Sequence, residues 1–132
     1  MATLFSKLIS GELPAHVLHE DQNYFSFLDI NPMAKGHALV IPKREEDYFF
    51  DLSDEELSGI LPFARKVAVA IEKVVDCKRV GISVVGLEVP HAHLHLIPLN
   101  SVGDMSFGKE PLSMSNDELA SLSEKIRSNI TS

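Results

Sequence analysis

The chain has 132 residues, 45% of them hydrophobic, and no low-complexity tract, which fits one compact domain over residues 1–132. A formal charge of −7 repels polyanions and argues against DNA or RNA as a partner, although a local nest of donors can still hold one phosphate group. No stretch approaches the roughly 20 apolar residues of a membrane span, Met1–Lys7 lacks the pattern of a secretory signal, and the single Cys77 permits no intramolecular disulfide. A cytoplasmic protein without membrane association is therefore expected.

Leu4, Phe5, Leu8 and Ile9 recur at helical spacing, with Gly11 as a stop and Pro14 beyond it, so a short amphipathic helix is predicted over Thr3–Ser10. His16–Glu20 and Tyr24–Asp29 read as two strands joined by the turn residues Asp21-Gln22-Asn23. The Asn31–Gly36 segment has turn chemistry, and His37–Ile41, closed by Pro42, is a third strand. Ser53-Asp54-Glu55-Glu56 is a capping box, and apolar residues from Leu57 to Val75 recur at three and four residues, predicting one long helix with a bend at Pro62. Lys78–Val85 and His91–Leu99 supply the fourth and fifth strands. A second capping box, Ser115–Glu118, opens a terminal helix with Leu119, Leu122 and Ile126 on its apolar face. Strands, a helix and further strands with short links predict an α+β fold with a five-stranded antiparallel sheet.

The informative stretch is Pro90-His91-Ala92-His93-Leu94-His95-Leu96-Ile97-Pro98. On a strand of period two, the three imidazoles project from one face while Ala92, Leu94 and Leu96 meet the core. Three aligned imidazoles are a poor choice for filling a sheet surface and point to chemistry. His16 and His19, by contrast, read as ordinary surface residues. A metal site would need a third ligand beside a His-x-His pair, with His37 the one obvious histidine from another strand, and it is incompletely supplied.

The run His91-Ala-His-Leu-His-Leu-Ile97 resembles the signature of the histidine triad (HIT) superfamily, His-φ-His-φ-His-φ-φ with φ apolar. Phe27-Leu28-Asp29-Ile30-Asn31-Pro32, followed by Gly36-His37-Ala38-Leu39-Val40-Ile41-Pro42-Lys43, is similar to an earlier block of that family, and Leu4-Phe5 and Leu8-Ile9 sit where its first helix lies. The resemblance is strongest over residues 3–99, nearest the Hint-like branch, with residues 100–132 as a C-terminal extension. It implies a homodimer whose two sheets join into one, binding a nucleotide beside each histidine strand, with no cofactor. His93 would attack the α-phosphorus and carry a transient nucleotidyl group, while His91 and His95 would handle phosphate contacts and protons. His37 would lie in the network behind the nucleophile. Asp29 would bind the ribose hydroxyls, and Leu4, Phe5, Leu8, Phe27 and Ile30 would sandwich the base. Ser83 and Glu88, in the lead-in to the triad, would complete the substrate contacts. The chemistry agrees: a neutral imidazole offers a lone pair to phosphorus, and donors to the non-bridging oxygens favour the transition state. The implied reaction is hydrolysis of nucleoside phosphoramidates or related conjugates; the alternatives are a dinucleoside polyphosphate hydrolase or nucleotidyl transferase, a regulatory nucleotide-binding module, and a metal-dependent hydrolase.

Two departures from the family pattern stand out. Where it carries Gly-Gln-Ser or Gly-Gln-Thr before the triad, this chain has Gly86-Leu87-Glu88, and a carboxylate near a phosphate is unfavourable. Leu4-Phe5-Ser6-Lys7 replaces the Cys-x-x-Cys pair with which some members bind zinc, so no structural zinc is expected.

Overall fold

A computed structural model describes residues 3–130. Helix α1 (Leu4–Ile9) is followed by strands β1 (Val17–Glu20), β2 (Tyr24–Leu28) and β3 (Ala38–Pro42), the long helix α2 (Asp54–Val74), strands β4 (Arg79–Ser83) and β5 (Leu94–Leu99), and the last helix α3 (Asn116–Arg127). The strands form one antiparallel sheet in the order β1-β2-β3-β5-β4, as the α+β reading anticipates. Each helix begins where a hydroxyl captures an otherwise orphaned N–H: Thr3 for α1, Ser53 for α2 and Ser115 for α3.

Alternation along β2 and β3 splits the core between the two sheet faces. Tyr24, Leu28, Ala38 and Val40, with Leu94 and Leu96 of β5, face α2 and α3. Phe25, Phe27, Leu39 and Ile41 face the other way and pack with Phe5 of α1. A bulge at Leu18 tucks that side chain into the helical side and places His19 there too, its ring 5.0 Å from Phe63. Helix α2 runs through Pro62, which is exposed, as is Ser58, the residue whose carbonyl loses its N–H partner there. The C-terminal helix α3 buries Leu119, Leu122 and Ile126 in the same core as α2, and Arg127 donates to the Val17 carbonyl at 2.7 Å.

Glycine is required at one junction that positions the site. Gly36 has φ +95°, and a Cβ there would lie 2.9 Å from Val75 Cγ2 and 3.2 Å from Pro98 Cγ. The chain thus turns tightly over the ends of α2 and β5 before delivering His37 to the start of β3.

Candidate active site

The histidine run is not wholly strand. Strand β5 begins at Leu94, so His91 and His93 belong to the extended lead-in, which is held by Ala92 N–H donating to the Glu46 carbonyl at 2.6 Å. Period two nevertheless persists through the lead-in: Ala92, Leu94 and Leu96 are buried on one side, and the imidazoles gather on the other. The His93 ring lies 5.1 Å from both Phe5 and His95. Phe5 of α1 packs against His91 and His93, and Phe107 against His95, so little of the three rings is exposed.

Hydrogen bonds to backbone groups fix the tautomers of His37, His91 and His93, and His37 in turn fixes that of His95. The Met33 N–H donates to His37 Nδ1 at 3.0 Å, which places the proton of neutral His37 on Nε2. His37 Nε2–H then donates to His95 Nδ1 at 2.9 Å, leaving Nε2–H of His95 for whatever enters the site. His93 Nδ1–H donates to the His91 carbonyl at 2.7 Å, so the lone pair of His93 lies on Nε2. His91 Nε2–H donates to the Pro42 carbonyl at 2.8 Å, and its Nδ1 accepts from the Thr3 hydroxyl at 2.7 Å. Three histidines equivalent by sequence are therefore three different groups: a buried orienting residue, a ring with a free lone pair, and a ring with a free N–H.

Burial favours the neutral form of His37, His91 and His95. It lowers the pKa of His37 to about 4 and, with the neighbouring His37 and His93, that of His95 to about 3. His91 is also lowered, mainly by burial, with the Pro42 carbonyl opposing. Asp29 is raised by burial, partly offset by the Asn31 N–H and His93.

A cavity of about 690 Å³ opens over His93 and His95. Its walls include His37, Asp29, Ile30, Phe27, Leu4, Phe5, Leu8 and Glu88, which the sequence nominated from four separate segments. Two nominated residues stand apart. Ser83 pairs with His95 in the sheet register but does not line the cavity, and His91 has both ring nitrogens bonded to the protein and no exposed surface. His91 is thus placed to orient His93 through its carbonyl, not to contact phosphate. Asp29 holds a turn and also faces the site: Oδ1 accepts from Asn31 N–H at 2.8 Å, and the residue lines the cavity.

Sequence reasoning missed several residues. Thr3 has a visible signal, a hydroxyl three residues before Ser6, but the usual Glu or Gln of a capping box is replaced by serine. His16, read as an ordinary surface residue, lines the cavity. Phe107, Lys109 and Pro111 come from the C-terminal extension, and Phe107 packs edge-on against His95 at 4.8 Å.

Ligand atoms of Asp29, His37 and His95 lie within 4.8 Å of one another, close enough to invite a metal. The tautomers oppose it. A metal on His37 Nε2 requires the ring proton on Nδ1, which faces the Met33 N–H donor instead of an acceptor. These residues do not fit a resident metal centre.

The HIT domain family model matches residues 10–102. The chain belongs to the HIT family. Among its relatives, the adenosine 5′-monophosphoramidase of Schizosaccharomyces pombe is 37% identical over 133 residues, covering 98% of this chain and 99% of the relative. A HIT-like protein of Bartonella henselae superimposes with a TM-score of 0.83 at 28% identity, covering 97% of this chain and 96% of that one. A zinc-bound histidine triad protein of Mycobacterium smegmatis superimposes with a TM-score of 0.80 at 27% identity, covering 98% and 93%. This HIT protein has a single cysteine, Cys77, which does not line the cavity.

Proposed function

We propose that this HIT protein hydrolyses nucleoside phosphoramidates or related nucleotide conjugates at the α-phosphorus, through a covalent nucleotidyl intermediate on His93. The observation that carries the reading is the His93 tautomer: Nδ1–H is committed to the His91 carbonyl, so Nε2 offers a lone pair to the cavity. The similarity to an adenosine 5′-monophosphoramidase supports the substrate class.

In this reading His93 Nε2 attacks phosphorus as the bond to the leaving nitrogen breaks. The nitrogen keeps the electron pair and takes up a proton from solvent to leave as an amine, while His95 Nε2–H donates a hydrogen bond to the reacting group. Water then attacks the phosphorus, the P–Nε2 bond breaks with its pair returning to His93, and the proton taken up in the first half is released. Asp29 accepts from the ribose hydroxyls, while Phe5, Phe27 and Ile30 hold the base.

The protein works as a homodimer in this reading. Strand β4 is a sheet edge that leaves Ile82 52% exposed, beside exposed Leu61 of α2, a surface suited to joining two sheets. A lone cysteine fits the cytoplasm.

The test is hydrolysis of an adenosine 5′-phosphoramidate by wild type and His93→Ala, with and without chelator, combined with trapping of a phosphorus-labelled protein. Wild-type turnover should survive chelator, vanish in His93→Ala and leave label on His93; turnover persisting in the variant refutes the mechanism. Glu88 in the cavity wall favours a second reading, a regulatory module that binds nucleotide with little turnover. Binding without hydrolysis would select it.

A further inference from the structure

A nucleotide at His93 brings negative charge into a cavity whose own wall is short of positive charge. The lead-in to the triad offers Leu87, which is 88% exposed, and Glu88, neither of which stabilises a phosphate. Asp29 adds a second carboxylate. Among the described residues lining the cavity, Lys109 is the one lysine or arginine.

Lys109 is carried there by the C-terminal extension, and that path is well anchored. After β5, Asp104 Oδ2 accepts from Asn100 N–H at 2.8 Å and Ser101 N–H at 3.0 Å, closing a turn, and Met105 reaches Gly81, where a Cβ would lie 2.7 Å from its Cε. Residues 106–112 then form a strap. On one side of Lys109, Phe107 packs against His95 and, at 6.4 Å, His37. On the other, Pro111 lines the cavity and Leu112 N–H donates to the Pro32 carbonyl at 2.8 Å, next to the turn that holds Asp29. The two anchors bracket Lys109 and hold its backbone at the cavity mouth, while its side chain keeps the exposure and flexibility to close on an anion.

We propose that the 106–112 strap is a substrate-contacting element in which Lys109 binds the phosphate group, making the site selective for phosphate-bearing nucleosides over uncharged ones. The inference rests on the nucleotide reading above and adds to it the source of the missing positive charge. Lys109 supplies from the C-terminal side the favourable charge that Leu87 and Glu88 do not supply from the lead-in.

Calorimetric binding of AMP and of adenosine to wild type, Lys109→Ala and Lys109→Arg tests it. Lys109→Ala should weaken AMP binding roughly tenfold while leaving adenosine within about twofold, and Lys109→Arg should keep most of the AMP affinity. Added salt should weaken AMP binding more in wild type than in Lys109→Ala. Unchanged AMP affinity in Lys109→Ala, or equal losses for AMP and adenosine, overturns the role of Lys109 while leaving the nucleotide reading in place. A wild type that binds no AMP overturns the nucleotide reading, and this inference with it.

Discussion

Acid should destabilise this protein through the buried His37–His95 pair. In the folded state burial lowers His37 from 6.5 to about 4, whereas the unfolded chain titrates near the ordinary value. A depressed folded pKa means that, below pH 6.5, the unfolded chain takes a proton that the folded protein refuses. The stability tied to neutral His37 is therefore fully present above pH 6.5, is lost as pH falls towards 4, and does not change further below that. At about 1.4 kcal/mol per pH unit, that interval accounts for on the order of 3 kcal/mol, a large share of a small domain's stability. His95, lowered to about 3, extends the same loss to lower pH. Urea unfolding between pH 7.5 and 4.5 measures the loss, and imidazole nitrogen shifts by NMR identify the residues. His37→Gln keeps a donor for His95 Nδ1 and an acceptor for the Met33 N–H but cannot titrate, so its stability should fall less steeply with acid. Wild-type stability that stays flat from pH 6.5 to 4.5, or a His37 ring that titrates near 6.5, refutes the reasoning.

Three further outcomes follow from particular contacts. Gly36→Ala should lower stability by about 2 kcal/mol, because alanine must hold φ +95° with its Cβ against Val75 and Pro98; a denaturation midpoint matching wild type would contradict this. Thr3→Val removes both the α1 cap and the donor to buried His91 Nδ1, at a cost of about 2 kcal/mol, with a fall in kcat that Thr3→Ser should largely restore. Ile82→Glu places a charge on the exposed β4 edge and should convert the proposed dimer to monomer in sedimentation velocity; a wild type already monomeric would remove the dimer from the proposal.

What the sequence made legible was what it encodes locally. Ser53 with Glu56 and Ser115 with Glu118 mark helix starts that the structure places within a residue, because a cap and its partner are three residues apart in the chain. Strands β2 and β3 were legible from β-prone runs bounded by turn residues. The start of β5 was not, because the partner of Ala92 N–H is the Glu46 carbonyl, in a loop 46 residues away whose position no local pattern reveals. Phe107 and Lys109 were illegible for the same reason: their place at the cavity follows from where α3 docks and where Leu112 meets Pro32, not from their neighbours in sequence.

The departure of His91 and His93 from the strand is what makes the motif chemically unequal. The ladder between β3 and β5 spans only Ala38–Val40 against Leu94–Leu96. Had it continued, the next pairs would draw Ile41, Pro42, Ala92 and His93 into regular cross-strand bonding, and an alternating His-x-His-x-His run would present three similar rings. Because β5 starts late, the Pro42 carbonyl takes His91 Nε2–H and the His91 carbonyl takes His93 Nδ1–H. These two carbonyls orient the middle ring and leave its Nε2 lone pair for the ligand, while His95, inside the strand, receives its tautomer from His37. A repeating sequence thus becomes one orienting residue, one ring with a free lone pair and one ring with a free N–H through the point at which the ladder stops. Extending the strand by two pairs would remove that distinction without changing a single histidine.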